Sequence, residues 1–529
     1  MPNQPSISAN STALQRTDDV SPEYDYIICG AGASGSVVAA RLAEGDAGRV
    51  LLIEAGGSDD NPLISNPNAW PMTLGTSLDW GFVADASPDL NGRAIPYSMG
   101  KVLGGGTSIN VSTWSRGHRS DWDGFSEAAK DPRWSYSAIL DLYRSKVEDW
   151  QGQPDTEYRG AGGTVRVQQA QSPSAFSDAL LRSAQEAGLA RFPNANGAMM
   201  EAPGGAALVD EIVHNGTRKS IYQSYVAPLL PRDNLTVLTN TSVRKVIFDK
   251  TRAVGVLVER DGEVSEIKAR KEVILSCGAI NTPRVLLQSG IGDPSDLRRF
   301  GIDVVQSLPA VGKNLHDHVA FGFIWEKTKE PMPFMPRSET ACFWQTESGL
   351  DAPNMFTYAI QGSYASPEIL QAAKLPADTW SMFVGMRPRS RGRVYLQAAD
   401  QTAPLGIDIG YLRDPADLED LRSGLEIARQ IGHGVALRGF TVGEALSIDE
   451  TRAGWSDFFR NGLVTFWHQC GTAAVGTGND SVVDGSLRVH GTEGLRVADA
   501  SVLPKVTVGN TMAPCVVIGE RAASFIQAS

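Results

Sequence analysis

A glycine-rich turn between two apolar segments constrains the fold of this chain more than any other feature. The apolar run at residues 24–29 is followed at once by the sequence GAGASG at residues 30–35, and a helical pattern covers residues 34–43. A second apolar run, VLLI, occupies residues 50–53. Strand, tight turn, helix and strand within about 30 residues predict a βαβ unit and therefore a parallel sheet in an α/β fold.

The spacing GxGxxG in this turn is typical of dinucleotide binding. Gly30 would form the tight turn, Gly32 would let the backbone approach a pyrophosphate, and Gly35 would allow close packing of helix on strand. Ala33 and Ser34 open the helix, whose N terminus offers free N–H groups and a partial positive charge to phosphates. A cofactor-binding role is therefore predicted for all five residues.

An acidic residue at the end of the second strand supports this prediction. Glu54 lies 19 residues after Gly35 and is followed by Ala55. A carboxylate at this position can accept hydrogen bonds from ribose hydroxyls and would repel a 2′-phosphate, which disfavours NADP. The pattern by itself does not distinguish NAD from FAD.

Composition argues against several classes of protein. The net charge is −12, whereas nucleic-acid binding needs clustered Lys and Arg. The five cysteines are scattered, odd in number and without a CxxC pair, which argues against a disulfide framework or a zinc site and favours a reducing compartment. Residues 1–22 are polar and lack the apolar core of a signal peptide, and no apolar stretch of about 18 residues follows. We therefore expect a disordered tail at residues 1–22, no membrane span and a cytoplasmic location.

Four segments resemble the glucose–methanol–choline (GMC) oxidoreductases. They are GKVLGGGTSIN at residues 100–110, GAINTP at residues 278–283 with SGIG at residues 289–292, VGKNLHDH at residues 311–318, and GLRVADAS at residues 494–501. The resemblance extends from about residue 24 to the C terminus and is weakest at residues 153–209 and 320–387. It implies bound FAD and oxidation of an alcohol, and it assigns residues 311–318 a structural role rather than a metal site.

The resemblance also implies further cofactor contacts and a domain plan. The additional cofactor-binding residues would be Val102, Gly105, Asn110, Val111, Val243, Cys277, Asp499, Ala500, Asn510 and Thr511. Where some family members attach FAD through a histidine, this chain has Ile109, so we expect non-covalent FAD. We expect a Rossmann-type FAD-binding domain and an inserted substrate-binding domain built on an antiparallel sheet flanked by helices; the first comprises residues 23–160, 210–319 and 465–529, and the second comprises residues 161–209 and 320–464.

Oxidation of an alcohol needs a base for the hydroxyl proton, and His is the side chain best suited near neutral pH. Of seven histidines, His468 stands out, because it lies in the aromatic segment FWHQCGT at residues 466–472, which resembles the catalytic segment of the family. The resemblance pairs it with Asn510, just before a helical pattern at residues 512–526. A core histidine and a helix cap are the structural alternatives for these two residues.

The substrate is less constrained by the sequence. Phe466, Trp467 and His468 are predicted to contact it, and the two aromatic side chains favour an apolar or aromatic substrate. Related enzymes with a Trp before the histidine act on arylic and furanic primary alcohols, so the resemblance implies a primary alcohol with an aromatic or heteroaromatic body. The electron acceptor, O2 or another molecule, and the oligomeric state stay open. A hydroxynitrile lyase and a non-redox or photochemical flavoprotein are alternatives on the same fold.

Overall fold

The computed structural model describes residues 21–45, 47–169, 173–330, 332, 336–400 and 402–529. The predicted disordered tail therefore lies outside the described residues, apart from Ser21 and Pro22. The carbonyl oxygen of Pro22 accepts a hydrogen bond of 2.9 Å from the backbone N–H of Lys268. None of the helices in these ranges is long and apolar enough to cross a membrane.

The first sheet contains the predicted βαβ unit. Its order is Leu235–Leu238, Val50–Ile53, Glu23–Cys29, Glu263–Leu275, Arg252–Arg260 and Thr241–Asp249, with Leu495–Val497 also paired to Glu263–Leu275. The first four strands and Leu495–Val497 run parallel, and the remaining pairs are antiparallel. Val50–Ile53 is buried along its whole length, as expected for a parallel strand covered on both faces.

One strand of this sheet differs from the sequence prediction. The patterns at residues 266–268 and 272–276 predict two strands, whereas Glu263–Leu275 is continuous. Its first half pairs antiparallel with Arg252–Arg260, and its second half pairs parallel with Glu23–Cys29. The charged residues between the two patterns are largely exposed at the point where the strand changes its partners. The apolar pattern is therefore interrupted there, although the strand is continuous.

The second sheet is antiparallel. Its order is Thr441–Glu444, Val319–Lys327, Thr379–Met386, Met355–Gln361, Thr340–Trp344 and Gly205–Leu208, with Val464–Thr465 also paired to Val319–Lys327. One face packs against the helices Ala175–Glu186 and Ala416–Gly432, for example through Phe176 and Trp380, whose ring centroids are 5.0 Å apart. The domain limits themselves stay a prediction.

Helices cover the parallel sheet and connect the two sheets. Ala33–Glu44 packs on Met512–Gln527, close to the bounds that the sequence predicts for both helices. The other helical segments of at least four residues are Pro62–Ser65, Pro67–Thr73, Gly106–Ile109, Arg119–Ala129, Tyr136–Leu142, Tyr143–Val147, Ala198–Glu201, Ile221–Tyr225, Gly278–Gln288, Pro294–Arg299, Pro367–Ala372 and Arg452–Gly462.

Candidate active site

A cavity of about 500 Å³ is lined by residues of both sheets and of the glycine-rich loops. Two of the residues predicted to form the site, Gly35 and Val102, do not line it. The others do: Gly30, Gly32, Ala33, Ser34, Glu54, Ala55, Gly105, Asn110, Val111, Val243, Cys277, Phe466, Trp467, His468, Asp499, Ala500, Asn510 and Thr511. The fold thus brings together residues that are almost 500 positions apart in the chain.

The two glycine-rich loops touch each other at one end of this cavity. A Cβ atom on Gly105, whose φ is +52°, would lie 2.9 Å from the Cα of Gly32. A Cβ on Gly32 would meet nothing within 4 Å, whereas one on Gly35 would lie 1.9 Å from the carbonyl oxygen of Gly30. Gly35 therefore serves helix packing, and Gly32 leaves room for a ligand. Val102 is fully buried in an apolar cluster instead of facing the cavity.

Two long helices begin at the cavity without a side-chain cap. The N-cap residues are Gly32 for Ala33–Glu44 and Thr511 for Met512–Gln527, and neither makes a side-chain capping hydrogen bond. Their first N–H groups and positive dipole ends are available to an anionic group. Because Thr511 is the N-cap residue, Asn510 does not cap the helix.

The carboxylates beside the glycine turn are held by backbone donors. Glu54 accepts hydrogen bonds from the N–H of Ala31 at 3.0 Å and of Gly56 at 2.9 Å. Burial raises the pKa of Glu54 to about 7, although these backbone hydrogen bonds act to lower it. Each oxygen of Glu54 keeps a lone pair for a further donor, so the carboxylate can still receive ribose hydroxyls. Asp499 accepts from the N–H of Gly278 at 2.8 Å.

Other parts of the cavity also fit an extended dinucleotide. The strand Thr241–Asp249 has a register shift between Val243 and Lys245 next to the cavity. Thr241, Val243 and Arg244 line this end. The open space beside Gly32, the free helix N termini and the buried carboxylate together fit an extended dinucleotide, and the individual cofactor contacts stay a prediction.

A chain of buried side chains lies at the opposite end. The Nδ2 of Asn510 is 3.1 Å from Nε2 of His468, and the hydroxyl of Tyr358 lies 2.5 Å from Oδ1 of Asn510. When Tyr358 donates to Oδ1, the amide group points its N–H at His468, and Nε2 of His468 is then the unprotonated ring nitrogen. His468 and Asn510 are both over nine-tenths buried, and both line the cavity.

The backbone of His468 is fixed by Asp317. One carboxylate oxygen of Asp317 accepts from the N–H of His468 at 2.8 Å, and the other accepts from Thr465 and, at 3.1 Å, from Tyr411. Trp467 has a φ of +60°, which turns the chain so that the His468 ring faces the cavity. Burial lowers the pKa of His468 to about 3, so its imidazole is neutral at ordinary pH.

Aromatic side chains surround this end of the cavity. The predicted Phe466 and Trp467 are joined by four residues that the sequence analysis missed: Trp70, Tyr358, Tyr364 and Phe383. Trp70 meets Trp467 edge to face with centroids 5.9 Å apart, and Tyr364 meets Phe383 at 4.9 Å. Alternating apolar residues in MFTYAIQ, the strand Met355–Gln361, could have indicated that Tyr358 and Ile360 share one face.

The comparisons with known proteins agree with this geometry. Two models of the GMC oxidoreductase family match residues 24–320 and 388–519. An oxygen-dependent choline dehydrogenase of Sinorhizobium fredii is 34% identical over 538 aligned positions, which cover 95% of each chain. The crystal structure of pyridoxine 4-oxidase from Mesorbium loti is 30% identical, covers 96% of this chain and 99% of its own, and superposes with a TM-score of 0.90. A fungal aryl-alcohol oxidase, 22% identical with a TM-score of 0.82, covers 96% of this chain and 99% of its own and has the same fold.

These findings confirm the predicted family, the mixed α/β fold and FAD as the cofactor. The family models cover well over half of the chain, and the similarity to the choline dehydrogenase extends over nearly all of it. The chain therefore belongs to the GMC oxidoreductase family of FAD-dependent, alcohol-oxidising enzymes.

Proposed function

We propose that this enzyme oxidises a primary alcohol with an aromatic or heteroaromatic body to the carbonyl compound, with His468 as the general base and Asn510 as the hydrogen-bond partner of the substrate oxygen. The observation that carries this proposal is the 3.1 Å contact of His468 Nε2 with Asn510 Nδ2 in the wall of the aromatic cavity. When bound, FAD supplies the acceptor for the hydrogen and electron pair that leave the alcohol carbon.

The roles of the two side chains follow from their donors and acceptors. A substrate oxygen placed between them would donate its hydroxyl hydrogen to Nε2 of His468 and accept a hydrogen bond from Nδ2 of Asn510. As His468 takes the proton, the oxygen becomes alkoxide-like, and the neutral amide of Asn510 stabilises that charge. Tyr358 holds the amide in the required orientation by donating to Oδ1.

The charges of the cavity favour an uncharged substrate. Among the described residues that line it, the carboxylates are Glu54 and Asp499, both beside the glycine turn, and the aromatic end contains Arg337, which is ion-paired with Glu211 at 2.6 Å. Choline, the substrate named for the relatives, carries a fixed positive charge and would meet no carboxylate there. Pyridoxine, named for the structural relative, is a neutral heteroaromatic primary alcohol that suits an aromatic wall.

An anaerobic alcohol screen tests this proposal. Benzylic and furanic primary alcohols are expected to bleach the visible flavin band, and choline is expected to do so at least ten times more slowly at equal concentration. Bleaching by choline alone would overturn the substrate class. Bleaching by no alcohol would favour the alternative of a hydroxynitrile lyase or photochemical flavoprotein. Repeating the best substrate in air with peroxide detection then identifies O2 as acceptor or excludes it.

Two further experiments test the assigned residues. His468→Ala is expected to lose most of its turnover, by about 10²- to 10⁴-fold as for loss of a general base, while FAD content stays unchanged. An unchanged kcat would refute the base assignment. Ile109 stands where some relatives carry the linking histidine, so acid precipitation is expected to release all flavin; flavin left on the precipitate would contradict non-covalent binding.

A further inference from the structure

A second imidazole lies directly behind His468. His318, just before the strand Val319–Lys327, is fully buried, and its Nδ1 is 2.8 Å from Nδ1 of His468. The two rings are nearly perpendicular, with centroids 5.1 Å apart and an interplanar angle of 85°. The cavity is not lined by His318, so this residue acts on the substrate only through His468.

The contact restricts the protonation of both rings. Two Nδ1 atoms at this distance need one hydrogen between them, so one ring donates and the other accepts. If Asn510 donates to Nε2 of His468, then Nδ1 of His468 carries the hydrogen and donates it to Nδ1 of His318. In this arrangement the Nε2 lone pair of His468 accepts from Asn510, and it becomes the base for a substrate hydroxyl that takes the place of that contact.

We propose that His318 is the positioning residue of His468 and the temporary second carrier of the proton that His468 removes from the alcohol. The inference rests on the proposed function. It extends that function from one base to a pair of imidazoles that share one positive charge.

The proton balance of this step is closed. The substrate hydroxyl gives its proton to Nε2 of His468, and the hydrogen on Nδ1 of His468 moves across the 2.8 Å contact to Nδ1 of His318. His468 is then neutral with its hydrogen on Nε2, and His318 is an imidazolium. After release of the carbonyl product, water that enters the cavity takes the proton from Nε2 of His468, and the reverse shift from His318 restores both rings.

The surroundings explain why a single buried imidazole would be a weak base. Burial lowers the pKa of His468 to about 3, so taking a proton there is costly unless its charge is spread. Burial, His468, Arg387 and His316 also lower the pKa of His318 well below its usual range, and the backbone of Thr507 opposes them, so His318 holds the proton only while the reaction proceeds. Asp317, the residue before His318 in the chain, binds the backbone N–H of His468 and not a ring.

Substitutions can separate the two parts of the proposal. His318→Asn keeps an acceptor oxygen close to the position of Nδ1 but cannot carry the proton, whereas His318→Leu removes both functions. Hydrogen-bond partners behind a metal-binding histidine are worth about 10- to 100-fold in activity, and we expect an effect of the same size behind His468. We expect kcat to fall in the order wild type, His318→Asn, His318→Leu, with about 100-fold loss in the last variant and little change in KM. His118→Asn is the matched control, because His118 is also buried but caps the helix Arg119–Ala129, a position that Asn also suits.

A proton inventory on the wild-type enzyme provides a test that needs no variant. If two protons move in one step, the rate of flavin reduction by a neutral alcohol depends on the fraction of D2O in a bowed curve. A straight line, or wild-type kcat in both His318 variants at full FAD content, would overturn the proposal. Because the same alcohol must bleach the wild-type flavin first, these results leave the proposed function standing and reject only the role of His318.

Discussion

The orientation of the Asn510 amide depends on one phenol, and Tyr358→Phe removes it. The hydroxyl of Tyr358 lies 2.5 Å from Oδ1 of Asn510, and both side chains are over nine-tenths buried. Without this donor, the amide can turn over and direct Oδ1 instead of Nδ2 at the substrate oxygen. A buried neutral hydrogen bond contributes about 1 to 1.5 kcal/mol, which corresponds to roughly a 5- to 10-fold preference for one orientation. Without that preference about half of the amide groups direct Oδ1 at the substrate oxygen, so we expect the rate of flavin reduction to fall by about 2-fold.

Anaerobic stopped-flow reduction at saturating alcohol measures this effect on the chemical step directly. The matched control is Tyr395→Phe, which removes a 2.9 Å hydrogen bond from the Tyr395 hydroxyl to Asp85. Tyr395 lies on the strand Gly392–Leu396 and does not line the cavity. Both variants are expected to lose some free energy of unfolding, but only Tyr358→Phe is expected to slow reduction. Equal reduction rates in Tyr358→Phe and wild type would show that Asn510 does not need this partner and would refute the reasoning.

Three further predictions concern the cofactor and the base. Glu54→Ala is expected to weaken FAD binding with little change in the chemical step, and undiminished affinity in a titration of the apoprotein would contradict the ribose contact. Gly32→Ala is expected to fold normally but bind FAD poorly, because its Cβ would enter the open space left for the cofactor. Gly35→Ala is expected to be destabilised with or without FAD, because its Cβ would lie 1.9 Å from a backbone oxygen. Thermal unfolding and flavin content separate the two variants. Burial holds the pKa of His468 at about 3, whereas a histidine in the unfolded chain has a pKa of about 6.5. Between these two pH values the unfolded chain binds a proton that the folded chain does not, so the free energy of unfolding falls by up to about 1.4 kcal/mol for each pH unit below 6.5. The rate of flavin reduction is expected to show no loss near pH 6.5, because the buried imidazole stays neutral there.

Local patterns predicted those parts of the site that depend on neighbouring residues in the chain. The glycine turn and the helix after it follow from the spacing of residues 30–35, and Glu54 follows from its place at the end of a strand. Val102 also lies in a glycine-rich loop, yet its side chain is buried beneath that loop, because spacing does not specify which way each residue of a loop points.

Contacts between distant segments could not be read from the sequence. Tyr358 meets Asn510 across 152 positions of the chain, and His318 meets His468 across 150. No short motif contains either pair, and each depends on how the antiparallel sheet packs against the loop that carries His468. Asn510 illustrates the limit well, because its sequence context fits both a helix cap and an active-site amide, and only the packing assigns its side chain to His468.

The charge distribution around His468 gives a physical reason for a neutral partner behind it. Tyr358, Asn510, His468 and His318 form a hydrogen-bonded chain without a carboxylate. Asp317 precedes His318 in the sequence, but it contacts His468 through the backbone N–H and not through the ring. A carboxylate on Nδ1 would raise the pKa of His468 and so favour the imidazolium form, which has no lone pair for the alcohol proton. A neutral imidazole behind His468 keeps the buried base unprotonated at rest and accepts charge only when the proton is transferred. The cost of burying a charge therefore arises only during the reaction. At that moment the preorganised amide of Asn510 stabilises the alkoxide-like oxygen in the aromatic cavity.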